Sequence, residues 1–465
     1  MINRTLLQRG RAMTFQVGWG TLIRAVALAA LLACGASAQN HFVVRLAKGG
    51  DINGIAGRHA LQVVASLGGS ASGLYVVNSI LPLSVVSAGL TFESSVLNIE
   101  LDGSVALPEA SKSASPAKPA SLSWIGAYLG KSQFNPYTGA SEWAAYQNQP
   151  AAGIVNAAAA HQFATGGGTV AILDTGIDFT HPALAGSVLL GWDFVNNLPG
   201  GYAVPLDLFS ATGSILDQST TSILDQSTTS ILDQSTTSIL DQSTTSILDQ
   251  STTSILDSSK PINDYGHGTM VAGIVHLAAP TARLLPVKVF DVNGGSCLSL
   301  ILQGIYYAVD QGARVISMSF SMRQGSPELQ RAIAYASAHN VVLVASAGNE
   351  GQNIVVYPAG YGGVIGVGST DNQDVRSSFS NYGDVVKLAA PGEGIVTTYP
   401  QNRYAAGWGT SFSTPFVTGG VALLVQLNSQ ITPAAALQAL SNAAPVGQSL
   451  GAGRLDLLQM LNSIF

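Results

Sequence analysis

Uninterrupted apolar runs recur along the last two thirds of the chain. Thr169-Val170-Ala171-Ile172-Leu173 is the first, and others lie at 283–290, 314–320, 341–347, 364–368 and 385–390. Runs without polar alternation are expected of strands buried on both faces. Between several of them, 269–277, 298–311 and 327–339 have helical spacing. Strand–helix alternation of this kind predicts an α/β fold, a doubly wound and mostly parallel sheet with helices on both faces. Sites in such sheets lie beyond the carboxyl ends of the strands.

The pattern divides the chain. Residues 39–107 mix short elements: strands expected at 41–46, 73–77 and 94–101, a helix at 58–67, and a turn at Asp102-Gly103. This reads as a small α+β domain. Residues 108–124 are rich in Ser, Ala, Lys and Pro, a linker composition open to proteolysis. The large domain is expected at 125–465. It is broken at about 203–261 by an insertion in which Ser-Ile-Leu-Asp-Gln-Ser-Thr-Thr repeats over 214–253. Near-identity at an eight-residue period points to tandem duplication. Two apolar residues per unit bury too little area to offset ordering, so a mobile surface loop is expected. A short β-solenoid or an adhesive arm is the alternative.

Composition adds an address. Arg4, Arg9, Arg11 and Arg24 precede the apolar run 25–34, and Ala36-Ser37-Ala38 offers a cleavage site, so 1–38 reads as a secretory signal peptide. Secretion is expected, with a lipid anchor at Cys34 as the alternative, and no other segment is long and apolar enough to span a membrane. Removal of the leader leaves Cys297 alone, so no internal disulfide is expected. The net charge of -6 supplies no basic footprint for nucleic acid.

Four short motifs carry chemistry. Leu173-Asp174-Thr175-Gly176 places an acid at the end of a buried strand. In Gly266-His267-Gly268-Thr269 a histidine lies between glycines at a helix start, and in Ala347-Gly348-Asn349-Glu350 an amide follows a central strand. Gly409-Thr410-Ser411-Phe412-Ser413-Thr414-Pro415 puts a serine before an apolar helix, whose first turn is expected at Pro415. Free N–H groups and the positive dipole end gather at such a helix mouth. Singly, these residues read as turn, loop and cap residues. Together they supply the nucleophile, base, orienting acid and oxyanion donor that acyl transfer by serine requires.

With these motifs the chain resembles the subtilisin-like serine peptidases over about 140–465. The order Asp, His, Ser is that of subtilisin rather than of chymotrypsin or the α/β-hydrolases. Segments 171–178, 267–273 and 409–415 look like the family's three signatures, and Ser378-Phe379-Ser380-Asn381-Tyr382-Gly383 and Ala390-Pro391-Gly392 fit its pattern between them. The resemblance implies Ser411 as nucleophile, His267 as general base and then acid, Asp174 as the residue orienting His267, and Asn349 as oxyanion donor. It implies protein or peptide substrates bound as a strand between Gly294-Gly295-Ser296 and Ser319-Phe320-Ser321, with Gly348 on the pocket wall. Block 39–107 looks like the family's propeptide, an intramolecular chaperone and inhibitor, so self-cleavage is expected between about 107 and 145.

The departures are local. Ser321 and Met322 stand where the family usually has Gly, narrowing the pocket or making it more polar, and Met270 replaces a second histidine. The chain passes from Ala278-Ala279-Pro280 directly toward the next strand, so the family's calcium loop and its calcium are not expected there. No cofactor or catalytic metal is expected. Two other readings compete. Asp174-Thr175-Gly176 is also the aspartic peptidase signature, which needs a partner carboxylate, and the sequence has no second Asp-Thr-Gly. An inactive exported scaffold displaying the repeats is the non-enzyme reading.

Overall fold

The structure, a computed structural model, describes residues 40–107, 122–202, 221–224, 266–447 and 449–464. The leader, residues 108–121 of the linker and most of the insertion lie outside the described residues.

The N-terminal unit is a four-stranded antiparallel sheet in the order β2-β3-β1-β4. It is built from β1 (Asn40–Leu46), α1 (Ile52–Arg58), β2 (Gln62–Ser66), β3 (Leu74–Ser79), α2 (Leu83–Leu90) and β4 (Val96–Leu101). The helix expected at 58–67 is displaced. Asp51 caps α1 by accepting from Asn53 N at 3.1 Å, and the chain reverses at Ala60 with φ 53°. The β-branched pair Val63-Val64 then falls in a strand, where it is favoured. Helix α2 was not foreseen. Phe42, Val44, Ile55, Val77, Val86 and Leu90 form this unit's own core. Val43 and Leu74, on the other face of the sheet, join the core of the large domain.

The large domain carries an eight-stranded, mainly parallel sheet. Its strands are β6 (Thr169–Asp174), β7 (Gly191–Asp193), β8 (Leu198–Gly200), β9 (Arg283–Lys288), β10 (Val315–Met318), β11 (Val342–Ser346), β12 (Val364–Thr370) and β13 (Leu388–Pro391). Their spatial order is β8-β7-β9-β6-β10-β11-β12-β13. Val170 and Ile172 of β6 enter one core while Ala171 and Leu173 enter the other, so the strand is buried on both faces. Helices α3 (His267–Ala278) and α6 (Thr410–Leu427) cover one face, and α4 (Leu298–Asp310) and α5 (Pro327–Ala338) the other. The doubly wound expectation holds.

Strand β6 lies between β9 and β10, so the winding reverses around it. The crevice at its carboxyl end is where such folds place their sites. Contrary to the expectation that no segment beyond the leader has that length and apolarity, helix α6 is long and apolar enough to cross a membrane, but it is 89% buried and serves as the central core helix. It begins at Thr410, so Pro415 lies inside it rather than at its first turn.

One stretch of the octad array, Thr221–Leu224, pairs antiparallel with the strand Arg403–Gly407, which lies between it and Ile395–Tyr399 in a three-stranded sheet. That strand feeds directly into Gly409 and Ser411.

Candidate active site

Asp174 ends β6. Its backbone oxygen accepts from Val289 N and Phe290 N at 3.0 and 3.2 Å, which locks the strand end to the next chain. The Asp174 carboxylate accepts from Thr175 N at 2.7 Å. It also holds His267 Nδ1 at 2.8 Å (Oδ1) and 2.9 Å (Oδ2), with both residues buried. A carboxylate only accepts, so Nδ1 carries the proton and Nε2 of the neutral ring is the basic nitrogen. His267 opens α3. The following Gly268 N–H donates to Thr175 Oγ1 at 3.0 Å, and a Cβ on Gly268 would lie 2.3 Å from Gly176 O. The two glycine-flanked turns are therefore pressed together, and that closeness sets the Asp–His contact.

Lys288, also buried, ends β9 in register with Asp174 and donates to Thr175 O at 2.9 Å and Phe290 O at 3.2 Å. It ties together the carbonyls on either side of the site floor.

Ser411 lies in the first turn of α6, where backbone N–H groups have no intrahelical acceptor. The ring of Phe412, the next residue, stands edge-on to His267 with centroids 5.8 Å apart. Ser411 Oγ donates to Ser319 O at 3.1 Å, and Ser319 Oγ donates back to Ser411 O at 3.1 Å. The second bond has a cause in the sequence. Pro415 has no N–H to give the Ser411 carbonyl, and the Ser319 hydroxyl takes its place.

Asn349 follows β11. Its Oδ1 accepts from Thr410 N at 2.9 Å and Thr410 Oγ1 at 2.8 Å. A backbone N–H only donates, so the oxygen branch must face Thr410 and the Nδ2 donors take the other branch. Thr410 thus orients the amide beside Ser411. Thr410, Thr175 and the Ser319 side chain carry these supporting bonds. Sequence reasoning did not single them out for that role, although each is a hydroxyl residue within or adjoining a motif that it did identify.

The remaining expected residues form a groove. Gly294 adopts φ 70°, and Asp291 pins its loop by accepting from Asn293 N and Gly295 N. Residues Gly295–Cys297 pair antiparallel with β5 (Ser104–Ala106) from the N-terminal unit. Across the groove Ser321 pairs with Ala106, and Leu107 N donates to Gly294 O at 3.0 Å. A strand therefore already runs between the segments 294–296 and 319–321. Phe320 packs on Phe290, and Gly348, with φ 94°, backs onto Asn381 and Glu350. Cys297 is buried, and Met270 lies in the core. Helix α3 ends at Ala278 and β9 begins at Arg283, leaving the short connection that the sequence predicts.

Carboxylates of the N-terminal unit reach the large domain at two helix starts. Asp102 accepts from Ser299 N and Oγ, both at 2.7 Å, and Glu100 accepts from Glu328 N at 2.9 Å. Both sit in favourable positive helix fields. Burial nevertheless pushes both carboxyls above their ordinary range. Arg45 adds a 2.6 Å ion pair to the buried Glu328.

Residues 165–459 match the subtilase family, peptidase S8. Over 268 residues the chain is 37% identical to thermitase of Thermoactinomyces vulgaris, covering 56% of this chain and 75% of thermitase. It is 34% identical over 268 residues to a thermophilic serine proteinase of Bacillus sp. (strain AK1), of which it covers 52%. It is 38% identical over 172 residues to subtilisin Savinase of Lederbergia lenta, of which it covers 64%.

Proposed function

The chain belongs to the subtilase family and is a subtilisin-like serine endopeptidase; from that premise we propose that Asp174, His267 and Ser411 carry the hydrolysis as a triad. The observation that supports this most is the buried, two-oxygen contact of Asp174 with His267 Nδ1, which leaves Nε2 as the basic nitrogen of a ring packed edge-on to Phe412, the residue after Ser411. In the reaction, Ser411 Oγ leaves its bond to Ser319 O and gives its proton to His267 Nε2. It attacks the substrate carbonyl, forming a C–O bond and a tetrahedral oxyanion. Asn349 Nδ2–H and the Ser411 N–H donate to that oxyanion. Collapse breaks the C–N bond as His267 protonates the leaving amine, giving an acyl-enzyme. Water then repeats the sequence with His267 as base and releases the acid.

The substrate is a protein or peptide strand held between Gly294-Gly295-Ser296 and Ser319-Phe320-Ser321, beside Gly348. The N-terminal unit, residues 39–107, acts as inhibitor and folding partner of the peptidase domain. Strand β5 lies where a substrate would, and Ser411 has no solvent exposure. Self-cleavage between about 107 and 145 would relieve this block. The leader-like 1–38 supports export, with secretion as the destination.

The test is the purified full chain incubated alone and then with a denatured protein substrate. The wild type should trim its N-terminal unit and go on to cut the substrate, whereas Ser411→Ala should remain full length and inert. Trimming of purified Ser411→Ala at the wild-type rate would refute self-processing, and substrate hydrolysis by that variant would refute the triad. A folded wild-type protein that neither trims nor cuts would favour the inactive-scaffold reading.

A further inference from the structure

The strand Arg403–Gly407 leads toward the nucleophile, and on one side its partner comes from the octad array. Thr221, Ser222, Ile223 and Leu224 pair antiparallel with Gly407, Ala406, Ala405 and Tyr404, while Ile395–Tyr399 pairs with the same strand on its other side. The tetrapeptide Thr-Ser-Ile-Leu that makes this pairing occurs five times, at 221–224, 229–232, 237–240, 245–248 and 253–256. The acceptor residues include Ala405, Ala406 and Gly407, so main-chain hydrogen bonds rather than side-chain pockets hold the added strand. Register is weakly specified where side chains do not set it, and identical tetrapeptides offer the acceptor identical partners.

The surrounding structure lets each copy reach this edge. The Leu224 end lies opposite Tyr404, next to Arg403, which pairs with Tyr399. A Cβ on Gly266 would strike the Tyr399 ring, so the chain returns to the domain beside that end. The first copy leaves 18 residues between Tyr202 and the strand and 41 between the strand and Gly266, whereas the fifth leaves 50 and 9. Nine residues reach about 30 Å when extended, ample for a neighbouring position. The probability of closing a loop falls as about the 3/2 power of its length. Lengthening one loop is therefore offset by shortening the other, and the five placements differ by no more than about threefold.

We propose that the five Thr-Ser-Ile-Leu stretches are interchangeable edge strands, any one of which completes the three-stranded sheet whose middle strand feeds Ser411. The occupant of this edge is the chain's own array, and 221–224 is one of five equivalent choices. The array thus keeps a partner on 403–407 when a copy is lost or gained. An unpaired edge there would be open to other chains.

The test traps the pairing with disulfides in full-length Ser411→Ala protein, in which Cys34 and Cys297 are changed to Ser. Ala406→Cys is combined with one cysteine in the array, at Ser222, Ser230, Ser238, Ser246 or Ser254. These are the partner of Ala406 in the first copy and its counterparts in the other four. Residues directly opposite in an antiparallel pair lie within disulfide reach. On mild oxidation all five proteins should form the internal bond, at rates within about threefold of one another. Ser227→Cys, which is out of phase, should form it at least about tenfold more slowly. Closure by Ser222→Cys alone would overturn the proposal in favour of one fixed register, and equally fast closure by Ser227→Cys would reduce it to unguided collision. Closure by none would remove the pairing itself, and bonds between chains in place of internal ones would assign the edge to a second copy.

Discussion

Replacing Ser319 by alanine probes a contact that exists because of a proline. Helix α6 contains Pro415, so the carbonyl of Ser411 lacks the helical N–H it would otherwise accept, and Ser319 Oγ supplies the bond at 3.1 Å. Ser411 is wholly buried, so water cannot substitute. Removing the hydroxyl leaves a buried acceptor unsatisfied, for which we expect a loss of about 2 kcal/mol within the usual range of about 1–3. Pro415→Ala restores an N–H at the position that bonds Ser411 O. In that background Ser319→Ala should therefore cost no more than about 0.5 kcal/mol, a coupling of about 1.5 kcal/mol. The cycle is measured by urea denaturation in Ser411→Ala protein, which cannot digest itself, with the slopes required to agree. Equal losses in the presence and absence of Pro415 would show that the hydroxyl does not replace the helical bond.

Gly268→Ala places a Cβ 2.3 Å from Gly176 O and 3.1 Å from Asp174 Oδ1, so the turn bearing His267 must move. Turnover should fall at least about a hundredfold in protein whose circular dichroism is native; undiminished turnover would contradict the close-packed turn. Asn349→Ala should lower kcat by about 10²–10³ with little change in KM, the range known for the oxyanion asparagine of subtilisin. Parallel changes in kcat and KM would instead indicate a role in substrate binding.

His181 donates from Nε2 to Arg403 O at 2.9 Å, and its Nδ1 accepts from Ala183 N at 3.2 Å, so a proton on Nδ1 breaks the second bond. Burial above all holds its pKa down at about 4, against smaller raising effects from the Arg403 carbonyl, Asp178 and Glu142 and a lowering one from His276. An unfolded histidine, near 6.5, binds the proton first, so this contribution to stability is intact above about pH 6.5 and is lost as pH falls toward about 4. His181→Gln should remove roughly 3 kcal/mol of the acid-induced loss, read from urea midpoints near neutrality and near pH 4. An unaltered acid limb would contradict the assignment.

Continuous apolar runs made the parallel sheet legible, because a strand such as β6 sends Val170 and Ile172 one way and Ala171 and Leu173 the other. Glycine-flanked turns marked Asp174 and His267, and the structure brings them into contact. The small N-terminal unit was harder to read. Its helix and second strand are each short, and Asp51 and Ala60 set where the chain turns, so apolar spacing over 58–67 misplaced both elements. The start of α6 was misread for a similar reason. A proline in a helix signals its first turn unless another group supplies the missing bond, and Ser319 does so from a distance of 92 residues in sequence. The supporting bonds of Thr410 and Thr175 depend on tertiary approach, which the order of residues does not display.

The central claim is that Ser411 Oγ is activated by a histidine that Asp174 orients. Reaction of the trimmed protein with a fluorophosphonate, followed by mapping of the adduct, tests it most directly. The account predicts one adduct, on Ser411, whose formation is slowed by orders of magnitude in His267→Ala and in Asp174→Asn. An adduct on another residue, or labelling of Ser411 at an undiminished rate in His267→Ala, would contradict it.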